Sequence, residues 1–489
     1  MTPSATNSRI PMMLIFLTIL FSSGWSLADD AAATIDQLMI HYQEIEAFNG
    51  TVLVASDGEV IFSGGYGLAN MEWGIANRTD TKFRIGSITK QFTSMLIMQL
   101  VEEGKISLDT TVAEILPYYR EDTGSRITIH HLLSNTSGLP SYVRPPSGLD
   151  APRKHDEIEL YVGTYCSADL EFEPGSRFGY SNSGYRLLGA IIEQVTGESY
   201  EESLNTRILG PVGMRDSGYD HDDLVIERRA AGYYPKWNGG FGNARYVDMS
   251  IPYSAGALYS TVEDLLRWDQ ALYTDSLLGK RWRDLMLTPV LGNYAYGWGV
   301  RTLDIGSEGA ERTIVRHSGL INGFHTDITR VIGDRYLVVL MNNSGEAPLS
   351  EIRSGILDIL YGRTPSKPKP PVLRELNKAM ATGGTEAALA RYNELKEKDF
   401  DNYVFGESQL NTLCYWLLEE GKTDDAIMAC TLNVMEYPDS ANPYDSLGEA
   451  YMIAGKTDLA IINYAKSLEI DQGNTNAVRQ LMKITGVGE

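Results

Sequence analysis

The chain is short of the residues on which several chemistries depend. Its three cysteines, Cys166, Cys414 and Cys430, form no Cys-x-x-Cys pair. Its seven histidines contain no His-Glu-x-x-His, and the adjacent His130 and His131 point different ways in a strand or a helix, so no metal site is expected. No Gly-x-Ser-x-Gly occurs, which removes the nucleophile elbow of the α/β-hydrolase type. Positive charge is also scarce, with 42 Lys+Arg against 64 Asp+Glu, and the net charge of −22 is spread along the chain. A surface of that sign repels phosphate backbones and anionic lipid, which argues against nucleic-acid and membrane-surface partners. The apolar run from Met12 to Phe21 spans ten residues, about 15 Å of helix and half of what a bilayer needs.

That run, with Arg9 before it and Ser26-Leu27-Ala28 after it, reads as a secretory leader over residues 1–28, cleaved after Ala28. No cysteine follows the run, so no lipoprotein site is expected, and cleavage leaves no stable membrane span. The expected location is periplasmic or extracellular.

What remains is globular in composition, with 43% hydrophobic and 22% charged residues. One break divides it. Thr364 to Pro371 reads TPSKPKPP, a stretch that holds neither a helix nor an inner strand and reads as a stiff, exposed linker over 364–372. Beyond it, over 373–489, the signal is helical. Gly421-Lys422-Thr423-Asp424 returns as Gly455-Lys456-Thr457-Asp458, a spacing of 34, and Ala426 returns as Ala460. Tyr444, Leu447, Gly448, Tyr451, Ala460 and Tyr464 resemble the tetratricopeptide pattern of large and small residues. A looser helical pair lies at Leu373–Met380 and Glu386–Lys398. Cys414 and Cys430 fall on the two helices of one repeat, where an antiparallel pair brings them to similar height. In an oxidising compartment they either bond or stay as two buried thiols.

The segment 29–363 is mixed. Thr51–Ala55 and Val60–Phe62 flank Asp57-Gly58, a hairpin signal. A helix is expected over 88–103, others near Thr128–Ser134, Gly184–Val195 and Thr261–Leu272. Strands return at Thr313–Val315, Phe324–Val331 and Tyr336–Met341. Strands at both ends with helices between them predict an α+β domain, its antiparallel sheet closed by segments distant in sequence and interrupted by a helical insertion.

Three short motifs carry chemistry. In Ser87-Ile88-Thr89-Lys90 the helix brings Lys90 within reach of the Ser87 hydroxyl, and Ser87 stands at the helix N-terminus, facing free N–H groups. Such a lysine serves as a base only if burial lowers its pKa. Tyr180-Ser181-Asn182 lies in a loop after Glu173-Pro174-Gly175. A tyrosine near cations can accept a proton, and an amide can hold a substrate carbonyl. His317-Ser318-Gly319 ends a predicted strand. There Gly319 allows a ligand backbone to approach, His317 and Ser318 can bind an acyl or carboxylate group, and the following N–H can point at an oxyanion. If unperturbed, His317 titrates near pH ~6.5 and sets the acidic side of the pH profile. Each motif alone arises by chance in a chain of this length; the bland readings are a capped helix, a loop and a structural histidine.

Their order along a strand-helix-strand plan resembles the serine β-lactamase-like and penicillin-binding family, in its class C-like branch. His131–Leu139 (HLLSNTSGL) and Ala255–Leu265 (AGALYSTVEDL) are similar to two further segments of that branch, and the likeness covers roughly Ala33 to Gly362. It implies a β-lactamase-like sandwich and an acyl-enzyme mechanism without a cofactor. Ser87 would be the nucleophile, Lys90 and Tyr180 would share the proton traffic, and Asn182, His317, Ser318 and Gly319 would bind substrate. The backbone N–H groups of Ser87 and Leu320 would form the oxyanion hole. His317 replaces the lysine of true penicillin-binding enzymes, which weakens attraction for a substrate carboxylate and points to esters or D-amino-acid peptides, with at most weak β-lactam hydrolysis. The competing reading is an inactive penicillin-recognising fold that presents its helical repeats to a protein partner.

Overall fold

The computed structural model describes residues 23–141, 158–236, 240–305 and 311–486. Most of the expected leader therefore lies outside the described residues, as does most of the loop 140–156. The leader's proposed cleavage point falls inside the first helix, α1 (Ser23–Glu44).

A six-stranded antiparallel sheet organises the first part of the chain. Its strands are β1 (Gly50–Ser56), β2 (Glu59–Tyr66), β3 (Gly299–Asp304), β4 (Glu311–Ile321), β5 (Phe324–Val331) and β6 (Tyr336–Asn342), in the order β3-β4-β5-β6-β1-β2. Asp57 and Gly58 turn β1 into β2 with positive φ (51° and 84°), as a tight hairpin requires. β1 then pairs with β6, Gly50 opposite Asn342.

Alternation along the strands feeds two cores. Val52 and Val54 of β1 and Val338 and Leu340 of β6 face α1 and helix α5 (Leu349–Leu360). Leu53, Ala55, Leu337, Val339 and Met341 face the opposite way, into the larger core with α2 (Thr89–Glu102), α3 (Asn182–Thr196) and α4 (Val262–Ala271). Helices thus cover both faces of the sheet, and the α+β plan holds.

Two strands depart from the sequence reading. β4 does not stop at Val315 but runs eleven residues to Ile321, so His317-Ser318-Gly319 lies within a strand and not at its end. β3, an edge strand with an exposed outer half, has only Val300 and Leu303 as apolar residues, three apart and not in strand alternation. What holds these stretches extended is backbone pairing and not side-chain preference: β3 lies on β4 from Gly299–Arg316 to Asp304–Glu311, and the end of β4 lies on β5 from His317–Ile328 to Ile321–Phe324.

Residues 363–370 are neither helix nor strand, and Pro365 lies over Gly355 of α5. Beyond them come α6 (Val372–Lys398, broken at Gly383 and Gly384), α7 (Glu407–Glu419), α8 (Thr423–Glu436), α9 (Ala441–Ile453), α10 (Thr457–Ile470) and α11 (Thr475–Thr485). Gly421 and Gly455 end α7 and α9 in the left-handed region (φ 73° and 71°), so the repeated tetrapeptide is the turn of two successive helical pairs. Their two apolar clusters are separate from the two cores of the sheet. Cys414 and Cys430 are joined in a disulfide, with Cα atoms 5.4 Å apart.

Candidate active site

Gly86 makes the corner from which the site is built. It has φ +50°, a conformation natural to glycine, and starts a short 3₁₀ turn, Gly86–Ile88, that leads directly into α2. β3 covers one edge of β4 only as far as Arg316, and this turn packs beyond it. The fit is close: a Cβ on Gly86 would stand 3.0 Å from the Leu320 nitrogen, and one on Gly319 would stand 1.9 Å from the Ile85 oxygen. Asn322-Gly323 is a two-residue hairpin turn, so Ile321 and Phe324 exchange the first hydrogen bonds, and alternation leaves Leu320 unbonded to β5. The Leu320 N–H therefore points to the Ser87 side. Ser87 itself stands in the first turn, where N–H groups lack helical acceptors.

Lys90 is fully buried, and its Nζ has three oxygen neighbours. Asn182 Oδ1 and the Ala255 carbonyl lie at 2.8 Å, and Ser87 Oγ lies at 3.0 Å. Burial, followed by the nearby Arg186 charge, holds the amine well below the usual lysine range. A neutral amine has two N–H bonds and one lone pair. The amide oxygen and the carbonyl can only accept, so they take both N–H groups. In that neutral form the lone pair is left for Ser87, whose hydroxyl can donate to it; in the protonated form the Nζ–H donates to Ser87 Oγ. The separation of 3.0 Å is within reach for proton transfer between the two groups.

The other motif residues arrive from separate elements. The Tyr180 ring centre is 5.0 Å from Lys90 Nζ. Ser181 caps α3 by accepting from the Gly184 N–H, which starts the helix at Asn182. Ser141 Oγ accepts from Asn182 Nδ2 at 3.1 Å and fixes which end of the amide meets the lysine. Asn135, in the left-handed region (φ 56°), accepts from the N–H groups of Gly179 through its carbonyl and Ser181 through its side chain. The HLLSNTSGL segment thus serves as the support of the tyrosine loop.

His317 is placed differently from the expectation. It is 8% exposed, and burial, with the neighbouring Lys90 next, depresses its pKa to about 3. Its Nδ1–H donates to the Ser318 carbonyl at 2.6 Å, which makes Nε2 the acceptor of the Tyr294 hydroxyl at 3.0 Å. Both ring nitrogens are used within the protein, and titration near pH ~6.5 is ruled out by burial. Ser318 alternates to the other side of the strand, that of exposed Leu320, and engages His317 through its carbonyl.

The structure thus brings Ser87, Lys90, Tyr180 and Asn182 together, with the backbones of Gly319 and Leu320 alongside, the His317 ring 6.2 Å from that of Tyr180, and Tyr294 behind His317. Sequence reasoning missed the Ala255 carbonyl, Ser141, Tyr294 and Arg186. Only the first had a signal, in the AGALYSTVEDL segment. Ser366-Lys367-Pro368-Lys369 repeats the Ser-x-x-Lys spacing but lies outside any helix or strand. Among the described residues no cluster of His, Cys, Asp and Glu is placed to hold a metal, and no helix is long and apolar enough to cross a membrane.

Fold and site together define a serine hydrolase built on an antiparallel sheet with helices on both faces. Residues 32–359 match the beta-lactamase family, and the chain belongs to it. It is similar to penicillin-binding protein 4* of Bacillus subtilis (strain 168), 30% identical over 355 residues that cover 67% of this chain and 76% of the relative. Among solved structures it is similar to a penicillin-binding protein from Bacillus halodurans, with 28% identity, TM-score 0.57 and coverage of 65% of this chain and 98% of that one. A penicillin-binding protein homologue from Pyrococcus abyssi, described as octameric, has 29% identity, TM-score 0.59 and coverage of 71% and 81%.

Proposed function

We propose that the protein is an exported hydrolase that cleaves ester or amide bonds of small esters or D-amino-acid peptides through an acyl-enzyme on Ser87. The observation that carries this reading is the hydrogen-bond arithmetic at Lys90, which leaves its lone pair for the Ser87 hydroxyl. Lys90 is then the base, and Tyr180 stands beside it for the return of the proton. Ser87 Oγ attacks the substrate carbonyl carbon while its proton passes to Lys90 Nζ. The carbonyl oxygen becomes an oxyanion held by the N–H groups of Ser87 and Leu320. The bond to the leaving group breaks, the leaving group takes the proton from Lys90 or through the Tyr180 hydroxyl, and water releases the acyl group by the same steps in reverse.

Relatives named for penicillin binding support acyl donors of the D-peptide kind. The neutral, engaged His317 favours those without a carboxylate beside the scissile bond, with weak β-lactam turnover. Residues 29–363 form the catalytic domain in this reading. Residues 364–372 are a linker, and 373–489 are tetratricopeptide-like repeats open to a protein partner.

Intact mass after treatment with a fluorophosphonate tests the proposal. Wild type should gain one adduct and Ser87→Ala none; an equal adduct on both would place the nucleophile elsewhere. No adduct on wild type, with no turnover of p-nitrophenyl esters, D-Ala-D-Ala peptides or a chromogenic cephalosporin, would favour the binding scaffold.

A further inference from the structure

Arg186 occupies α3 one turn after Asn182, on the same helix face. Helical side chains lean toward the N-terminus, so Arg186 reaches back over the turn that carries the Lys90 acceptor. It is only 4% exposed, and its Nε is buried without a hydrogen-bond partner. Among the described residues no carboxylate lies within ion-pair distance of it. Its neighbour is an aromatic face, with Cζ 5.6 Å from the centre of the Tyr165 ring. A buried guanidinium without an anion is costly, and ordinary packing would replace it with an apolar side chain.

We propose that Arg186 is a positioning residue for acyl transfer, a buried charge with no ion-pair partner among the described residues that keeps Lys90 in the neutral form able to take the Ser87 proton. The inference rests on Lys90 being the base, as proposed above. The groups facing Lys90 are uncharged apart from this one. They are Ser87 at the start of α2, Tyr180 before α3, Asn182 and Tyr185 on α3, the Ala255 carbonyl, and His317 on β4 with Tyr294 behind it. His317 is neutral, and no described carboxylate pairs with the amine. Burial alone would leave the lysine free to gain a proton whenever water or substrate polarised the site; a fixed like charge opposes that protonation directly. The direction agrees with the influence of Arg186 on the Lys90 amine, second only to burial.

The test is the pH dependence of Ser87 labelling by a fluorophosphonate, which reports ionisation in the free enzyme. Arg186→Met removes the charge, so protonated Lys90 becomes easier to form. The acidic limb should move to higher pH by about one unit. Arg186→Lys keeps the charge and should keep the wild-type limb. Tyr165→Glu, which leaves the arginine in place and supplies a carboxylate to it, should move the limb in the same direction as Arg186→Met. A limb unchanged in Arg186→Met or in Tyr165→Glu, with only a uniformly slower rate or a lower melting temperature, would overturn the proposal and leave Arg186 a structural residue. Absence of Ser87 labelling in the wild type would instead refute the acyl-enzyme reading itself.

Discussion

Replacing Lys90 by methionine separates what the lysine does for the fold from what it does for the reaction. The side chains are similar in length, and the position is fully buried, so an apolar replacement fits the space. Two hydrogen bonds of 2.8 Å are lost, and their acceptors become buried without a donor. Asn182 can turn to another partner, whereas the Ala255 carbonyl is fixed by the backbone. An unsatisfied buried acceptor costs about 1–3 kcal/mol, and removal of a desolvated amine offsets part of that. The melting temperature should fall by no more than a few degrees, on the order of 2–4 °C per kcal/mol for a domain of this size. Loss of the base should reduce ester turnover by about 10²–10⁴-fold.

The pH dependence of stability provides a second measure. Lys90 is held below its usual range when folded, so the unfolded chain binds an extra proton from that depressed value up to about pH 10.4. Wild-type stability should therefore gain on Lys90→Met as pH rises from neutrality toward about pH 10. Chemical denaturation at several pH values and initial rates on a p-nitrophenyl ester measure both effects. Turnover within tenfold of wild type in a folded variant would refute Lys90 as the base. A stability difference that does not change with pH would refute the neutral amine.

Gly86→Ala should cost about 1–2 kcal/mol for the left-handed backbone. By pressing on the Leu320 nitrogen it should also lower kcat about 10²-fold, measured by thermal unfolding and ester kinetics. His317, whose folded pKa is about 3, should add no inflection to the activity profile near neutrality. Its contribution to stability is present above pH ~6.5 and lost as pH falls toward 3, so His317→Gln, which still accepts from Tyr294, should resist acid unfolding better than wild type. Cys414→Ser should destabilise the helical repeats by about 3 kcal/mol for a loop of this length, and non-reduced mass spectrometry should find both thiols unavailable to alkylation in wild type. Limited proteolysis should cut between Gly362 and Leu373, and a chain ending at Gly362 should keep ester turnover; an inactive fragment would mean that the repeats support the sheet.

The parts of the fold legible in the sequence are those in which side chains carry the signal. Asp57-Gly58 announces the β1–β2 hairpin because only certain residues accept its backbone, and the repeated Gly-Lys-Thr-Asp announces the helical pairs for the same reason. The Ser87–Lys90 spacing is legible because helix geometry is fixed. Parts that depend on backbone partners were hidden. β3 and the outer half of β4 are extended because each is the other's ladder, and Arg301, Asp304, Glu311 and Arg312 have no strand preference to show it. The Ala255 carbonyl leaves no trace in residue identity. His317 was misjudged because its titration depends on burial among Tyr294 and Lys90, which are distant in sequence.

The pairing of β1 with β6 has a consequence for how the molecule comes into being. The Asn49 N–H donates to Asn342 Oδ1 across 293 positions of sequence, and the middle of the sheet consists of such meetings. Closing a loop of that size costs about 5 kcal/mol of chain entropy, and none of it is recovered until the last strand is made. A ribosome that has produced Ser87, Lys90 and Asn182 has yet to produce the strand edge on which they will close. The nascent chain therefore cannot close its sheet before residue 342 emerges. Its two sheet cores are completed together, at the moment the last strand arrives between β5 and β1.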